Sequence, residues 1–288
     1  MNEQGRDSEL YQLIFMQRWD DVRDLLHSNH VSANKKRAML FYRDQDGRTP
    51  LSLTKRKHNC KSFVAIPDDI CFTMVDIGEV DLVMTSDNSN STILHQMEEP
   101  LWIGRSKHVF KHILGIGGKA LVMMVDEEKK TALHKACLEN DPPLYVIDSL
   151  LRKGGKKLAK MTATFKKCTA LHYLCRQQQQ CKEAVVRLIE VGGKDLIIMH
   201  DYDKKTTLHL LMYQCIPSIE IVKNLIKVGG EYRFNASTGN HYYSSQLPPI
   251  VNPLPYKETI EYLIDLGGDL LIFMFDDGGR SLHRGTTR

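Results

Sequence analysis

A chain of 288 residues with 42% hydrophobic and 26% charged side chains is an ordinary globular composition, long enough for two compact domains or one repeat array. A net charge of +4 is too mild to imply a nucleic-acid partner, and the longest uninterrupted apolar run, Leu270 to Phe275, falls far short of the roughly 20 residues a bilayer crossing needs. Seven cysteines with no CxxC pair and no signal peptide point to reduced thiols in a cytoplasmic or nuclear compartment, which empties the glycosylation-like triplets at Asn90 and Asn235 of meaning.

In chain order, Leu10, Leu13, Ile14, Trp19, Val22, Leu25 and Leu26 fall at helical spacing, which predicts a helix pair over residues 8 to 30 inside an N-terminal helical cap of residues 1–43. From residue 44 the chain repeats itself. A Leu-His pair recurs at Leu94-His95, Leu133-His134, Leu171-His172, Leu208-His209 and Leu282-His283, and Thr49-Pro50-Leu51-Ser52 joins the series with Ser in place of His. Successive leucines lie 43, 39, 38, 37 and then 74 residues apart, the last being twice 37, so one copy has lost its signature. A Gly-Gly pair recurs at 117, 154, 192, 229 and 267, with Gly78-Glu79 as a partial version. Periods of this length belong to solenoids, propellers and arrays.

Each period reads as two helices. Thr49, Thr92, Thr131, Thr169 and Thr206 stand at the N-cap of the first, where a hydroxyl accepts from an orphan amide, and the His falls at N3, within reach of the cap. Leu133, Ala136 and Cys137 mark its apolar face, as do Leu171, Leu174 and Cys175, and Leu208, Leu211 and Met212. The second helix carries Phe110, Ile113, Leu114; Ile147, Leu150, Leu151; Val185, Leu188, Ile189; Val222, Leu225, Ile226; and Ile260, Leu263, Ile264 in register, and is expected to end at the Gly pair in a left-handed cap. A short apolar stretch and a polar, hairpin-like finger then lead to the next Thr. Near 235–268 the copy is degenerate: Pro248, Pro249, Pro253 and Pro255 exclude a regular first helix, and an exposed, protease-sensitive loop is expected over 235 to 255. Residues 276–288 begin a further, incomplete copy at Ser281-Leu282-His283.

These residues resemble the ankyrin repeat, whose signature opens the first helix with Thr-Pro-Leu-His-x-Ala and ends the second on glycine. The best single match is Asp44-Gln-Asp-Gly47-Arg-Thr49-Pro50-Leu51, and the resemblance runs from about residue 44 to 283. It implies an all-α solenoid of helix–turn–helix repeats with hairpin-like fingers over residues 44–288. The period of 37 to 39 exceeds the family's usual 33 or so, which suggests a longer finger after the Gly pair.

Several motifs invite a chemical reading. Cys168, His172 and Cys175 share a helix face, but their columns hold Cys137, Met212 and the other histidines, so packing and capping explain them without zinc or a thiol nucleophile. Gly115-Ile-Gly-Gly-Lys119-Ala120 lacks the glycine and hydroxyl a phosphate loop needs, and reads as a helix end. Gln177 to Gln180 read as a solvated helix end. The exception is Arg152, Lys153, Lys156, Lys157, Lys160, Lys166 and Lys167, seven basic residues with no acid among them, which is either a solvated finger or a contact for an acidic partner. With no catalytic, cofactor or metal residue implied, the expected function is a non-catalytic protein-binding scaffold. The alternative is a regulatory or targeting fragment of a larger enzyme or signalling chain.

Overall fold

The computed structural model describes residues 9–53, 66–96, 107–139, 143–177, 181–212 and 218–229. The expected copies at 235–268 and 276–288, the proline-rich loop and Gln178 to Gln180 lie outside them. The chain divides into two units, Met1–Ala136 with Arg152–Gly154, and Cys137–Leu151 with Gly155–Arg288.

In the first unit run α1 (Glu9–Phe15), α2 (Trp19–His27), α3 (Ala33–Leu40), a 3-10 turn (Pro50–Ser52), α4 (Asp68–Met84), α5 (Lys107–Val122) and α6 (Ala132–Ala136). Helix α1 packs on α2 and α3, and α4 packs on α2, α3 and α5. Leu10, Ile14, Val22 and Leu26 are buried, while Leu13, Trp19 and Leu25 are half-buried, so the N-terminal helix pair forms from the residues that predict it. The second unit contains most of α7 (Leu144–Ala159) and all of α8 (Ala170–Arg176), α9 (Lys182–Ile197), α10 (Thr207–Met212) and α11 (Ile219–Gly229). Here α9 packs on α8 and α11, and α8 on α10. Among the described residues the fold is all-α, with β-bridges only at Ser86 with Thr92 and at His200 with Thr206.

The apolar columns are the core. Phe110, Ile113, Ile147, Leu150, Val185, Leu188, Val222 and Leu225 are fully buried, as are Leu133, Ala136, Cys137, Leu171, Leu174 and Cys175. Each large aliphatic side chain so buried contributes roughly 1.5–3 kcal/mol relative to exposure.

The glycine pairs at 117, 154 and 192 do not end the second helix as expected, while the pairs at 229 and 267 reach outside the described residues. In α5, α7 and α9 the chain kinks at the second glycine, with Gly118, Gly155 and Gly193 at φ +57°, +60° and +63° and ψ −147°, −155° and −161°. That is a region open essentially only to glycine, and not the left-handed helical cap, whose ψ is about +47°. A further helical turn follows. It buries Leu121 and Val122, Leu158 and Ala159, or Leu196 and Ile197, and in α4 the same turn buries Leu82 and Val83. The residues that lengthen the period are therefore a docked helical turn and not a longer finger. The first glycine of the pair is set by packing: a Cβ on Gly78, Gly117 or Gly192 would collide with Leu82, Leu121 or Leu196, four residues on. The supposed phosphate-loop fragment is this kink within α5.

Candidate functional site

The caps come first because they fix where the fingers stand. Backbone N–H of Thr92, Thr131, Thr169 and Thr206 donates to Nδ1 of His95, His134, His172 and His209 at 3.1, 3.0, 3.2 and 3.3 Å. An amide N–H only donates, so Nδ1 is unprotonated and a neutral ring carries its proton on Nε2. His95 Nε2–H then donates to the Lys130 carbonyl at 3.1 Å, and His172 Nε2–H to the Lys205 carbonyl at 3.3 Å. Both acceptors immediately precede the next cap threonine, so each ring closes its own Thr-to-His turn, at His172 the start of α8, and ties it to the following one. Burial pulls His95 and His209 below the usual histidine range and brings His172 down to about 4. In the earliest copy Ser52 does the same work, its Oγ accepting from Thr49 N–H at 2.9 Å.

Four of the described fingers are closed by an aspartate five residues before the threonine. Asp44, Asp87, Asp126 and Asp201 donate their N–H to the carbonyl of Arg48, Ser91, Lys130 and Lys205 at 3.1, 3.0, 3.0 and 2.9 Å. Their Oδ1 atoms accept in return from the N–H of the same residues at 2.8, 2.9, 2.8 and 2.9 Å. The residue between takes a left-handed φ: Gly47, Asn90, Lys129 and Lys204 at +77°, +58°, +55° and +62°. Asp126 and Asp201 are buried, so each is paired, Asp126 with Lys135 at 3.2 Å and Asp201 with Arg176 at 3.3 Å. Neighbouring tips share main-chain bonds: Asn88 N–H to the Asp46 carbonyl at 2.9 Å, Glu127 N–H to Ser89 at 3.0 Å, and Tyr202 N–H to Lys166 at 2.7 Å. The Asp column was available to sequence reasoning through its constant offset from the threonine.

One finger departs from this plan. Residues 163–168 hold one residue more, Ala163 stands where the others have aspartate, and Ala163 N–H reaches the Cys168 carbonyl at 2.9 Å. Two consecutive lysines, Lys166 and Lys167, have positive φ at +55° and +50°. This is the finger of the basic run, whose members the structure places in different roles. Arg152 and Lys153 are exposed on α7 before its kink; Lys156 and Lys157 are exposed on the turn after it, and Lys160 follows as its C-cap. Lys156 and Lys160 converge on Asp195 Oδ2 at 2.8 and 3.3 Å, and Lys166 meets Asp203 at 3.3 Å. Those lysines hold the Asp195 carboxyl below the usual range. Arg152, Lys153, Lys157 and Lys167 form no ion pair among the described residues.

Both ring nitrogens of His172 are engaged, which leaves neither for a metal, and burial raises Cys168 and pushes Cys175 up to about 12. Gln177 is not a solvated end: its Nε2 donates to the Cys137 and Glu139 carbonyls at 2.9 and 2.6 Å. Periodicity is blind to such a residue, since it lies past the last core position.

Helix pair, Thr-His cap and Asp-closed finger thus recur as one unit. The fold is ankyrin-like. No family model matches the chain, and no curated protein sequence matches it. Among solved structures it is similar to the ankyrin repeat protein EF0377, at 14% identity and a TM-score of 0.49, over 77% of this chain and 94% of that one. A second likeness is to a structure of the predatory endopeptidase Bd0816 from Bdellovibrio bacteriovorus in complex with the immunity protein Bd3460, at 17% identity and a TM-score of 0.48, over 76% of this chain and 96% of that one. Likenesses of this size say nothing of activity. No helix among the described residues is long and apolar enough to cross a membrane.

Proposed function

We propose that the chain is a non-catalytic scaffold or adaptor that binds another protein, in a reducing cytoplasmic or nuclear compartment, through its fingers and the exposed residues beside them. Residues 1–43 act as the N-terminal cap of an array that occupies 44–288. The observation that carries this reading is the use made of the histidines. His95, His134, His172 and His209 each spend Nδ1 on their own threonine, so the side chain best suited to acid–base chemistry near neutral pH is spent on closing the turns that open each copy. Buried thiols with raised pKa are equally poor nucleophiles. What differs from copy to copy is the fingertip, the part a repeat protein is free to vary. The run Arg152, Lys153, Lys156, Lys157, Lys160, Lys166 and Lys167 belongs to that surface and favours an acidic partner, not nucleic acid. Affinity purification with mass spectrometry, with the whole chain as bait, checks this. Defined protein partners are expected; a chain that captures none and turns over a small molecule would sink the reading.

A further inference from the structure

Two adjacent fingers of the second unit each present an aromatic ring to solvent. Phe165 is 60% exposed and Tyr202 72%. The backbone holds them together, since Tyr202 N–H donates to the Lys166 carbonyl at 2.7 Å, and Lys166 Nζ lies 3.3 Å from Asp203 and 5.8 Å from the centroid of the Phe165 ring. Among the described fingers, Phe165 stands on the one that lacks the closing aspartate, is a residue longer and holds two lysines at positive φ. Apart from the Lys166 ammonium over it, the Phe165 ring on this strained tip faces water and is not packed into the core of the described residues, as an exposed anchor for a partner would be. Lys167 and Lys204 flank the rings in sequence, are exposed, and form no ion pair among the described residues.

We propose that Phe165, Tyr202, Lys167 and Lys204 form a platform that docks an acidic segment of a partner protein, with an apolar side chain of that segment on the rings and its carboxylates on the two lysines. This rests on the protein-binding reading above and gives it a place and a chemistry. Rigid aromatic rings lose little conformational freedom on binding and commonly anchor interfaces, while unpaired cations at the edge attract and orient an anionic partner. A nucleic-acid strand is the poorer occupant. It would need a continuous cationic track, and here Asp195 already neutralises Lys156 and Lys160 while Asp203 lies within the platform itself.

The test is selection of a phage-displayed library of random dodecapeptides on the full chain, followed by fluorescence anisotropy of the enriched peptides and of a labelled oligothymidylate. Enrichment of Asp and Glu around an apolar residue is expected. Phe165→Ala with Tyr202→Ala, and separately Lys167→Glu with Lys204→Glu, should each weaken those peptides by at least about tenfold with the melting temperature unchanged. Peptides without acids, or peptides that bind both variants as well as the parent, overturn the platform but leave protein binding through another surface standing. Oligothymidylate that binds more tightly than any peptide and is lost in the same variants overturns it in favour of single strands. An empty selection overturns it too, and is told apart from failure of the scaffold reading by whether the whole-chain bait still captures a protein.

Discussion

Glu79 occupies the position that glycine holds in the other kinks, at φ +52° and ψ −148°. A side chain in that region costs about 1–3 kcal/mol, and a Cβ at the equivalent Gly118 or Gly193 would touch nothing, so the backbone alone decides the effect. Glu79→Gly should therefore stabilise the chain by about 1 kcal/mol in urea denaturation, and Gly118→Ala should destabilise it by a similar amount or more. Equal midpoints for parent and both variants would mean that the kink carries no strain. His172 is the second residue-scale case. Its ring is fully buried, accepts from the backbone N–H and the hydroxyl of Thr169 and reaches the Lys205 carbonyl, so His172→Ala removes three hydrogen bonds and leaves a cavity. A loss of about 2–4 kcal/mol is expected in the same denaturation; a loss below about 0.5 kcal/mol, the scale of a surface substitution, would show that the cap forms without the ring.

At the scale of the element, the helical turn after the kink depends on a matched pair, a glycine and the leucine that folds back over it. Leu196→Ala should cost about 2–5 kcal/mol as a buried leucine, and Gly192→Ala should be costly because its new methyl group meets Leu196. Alanine at 196 removes the Cδ2 atom nearest the Gly192→Ala methyl but keeps Cβ at 2.6 Å. Relief in the double variant should therefore be partial with Leu196→Ala and fuller with Leu196→Gly, by about 1 kcal/mol or more in a double-mutant cycle. Strict additivity would refute the packing role of the glycine. The same turn shows what was legible in the sequence. Leu171, Ile147 or Val185 could be assigned to the core from spacing alone, and the Thr-His caps from position, because both are local and periodic. The turn was not, because a Gly pair predicts a helix end just as well as a kink: the two differ only in ψ of the second glycine. Fingers were legible as polar turns, whereas Phe165 and Tyr202 became a pair only through a hydrogen bond between residues 36 positions apart. Likewise the charge of the basic run was plain in the sequence, but not that Asp195 and Asp203 answer three of its members.

At the scale of the whole molecule, the cap histidines act in concert on stability. His95, His172 and His209 have folded pKa values lowered by burial, with His172 at about 4, against an unfolded value near 6.5. Folding therefore favours their neutral forms, and the unfolded chain takes up protons first as the pH falls. Their contribution is complete above about pH 6.5 and is lost progressively between there and about pH 4, with His172 alone accounting for up to about 3 kcal/mol. Melting temperature should be flat above neutrality and fall steeply below about pH 6.5, well before the carboxylates protonate, and His172→Asn should flatten the slope. A melting temperature that holds down to pH 5 would show that the rings titrate as freely as exposed ones.

A ring whose Nδ1 is an acceptor and whose Nε2–H is held by a carbonyl has a fixed tautomer and a sheltered proton, and both are visible in a nitrogen-15 spectrum. His95 and His172 each hold such a proton against the finger that follows. Every such histidine is thus a built-in local reporter: slow solvent exchange of its Nε2–H marks a closed junction between two copies, and loss of that one signal would show which junction opens first, without any label having been added to the chain.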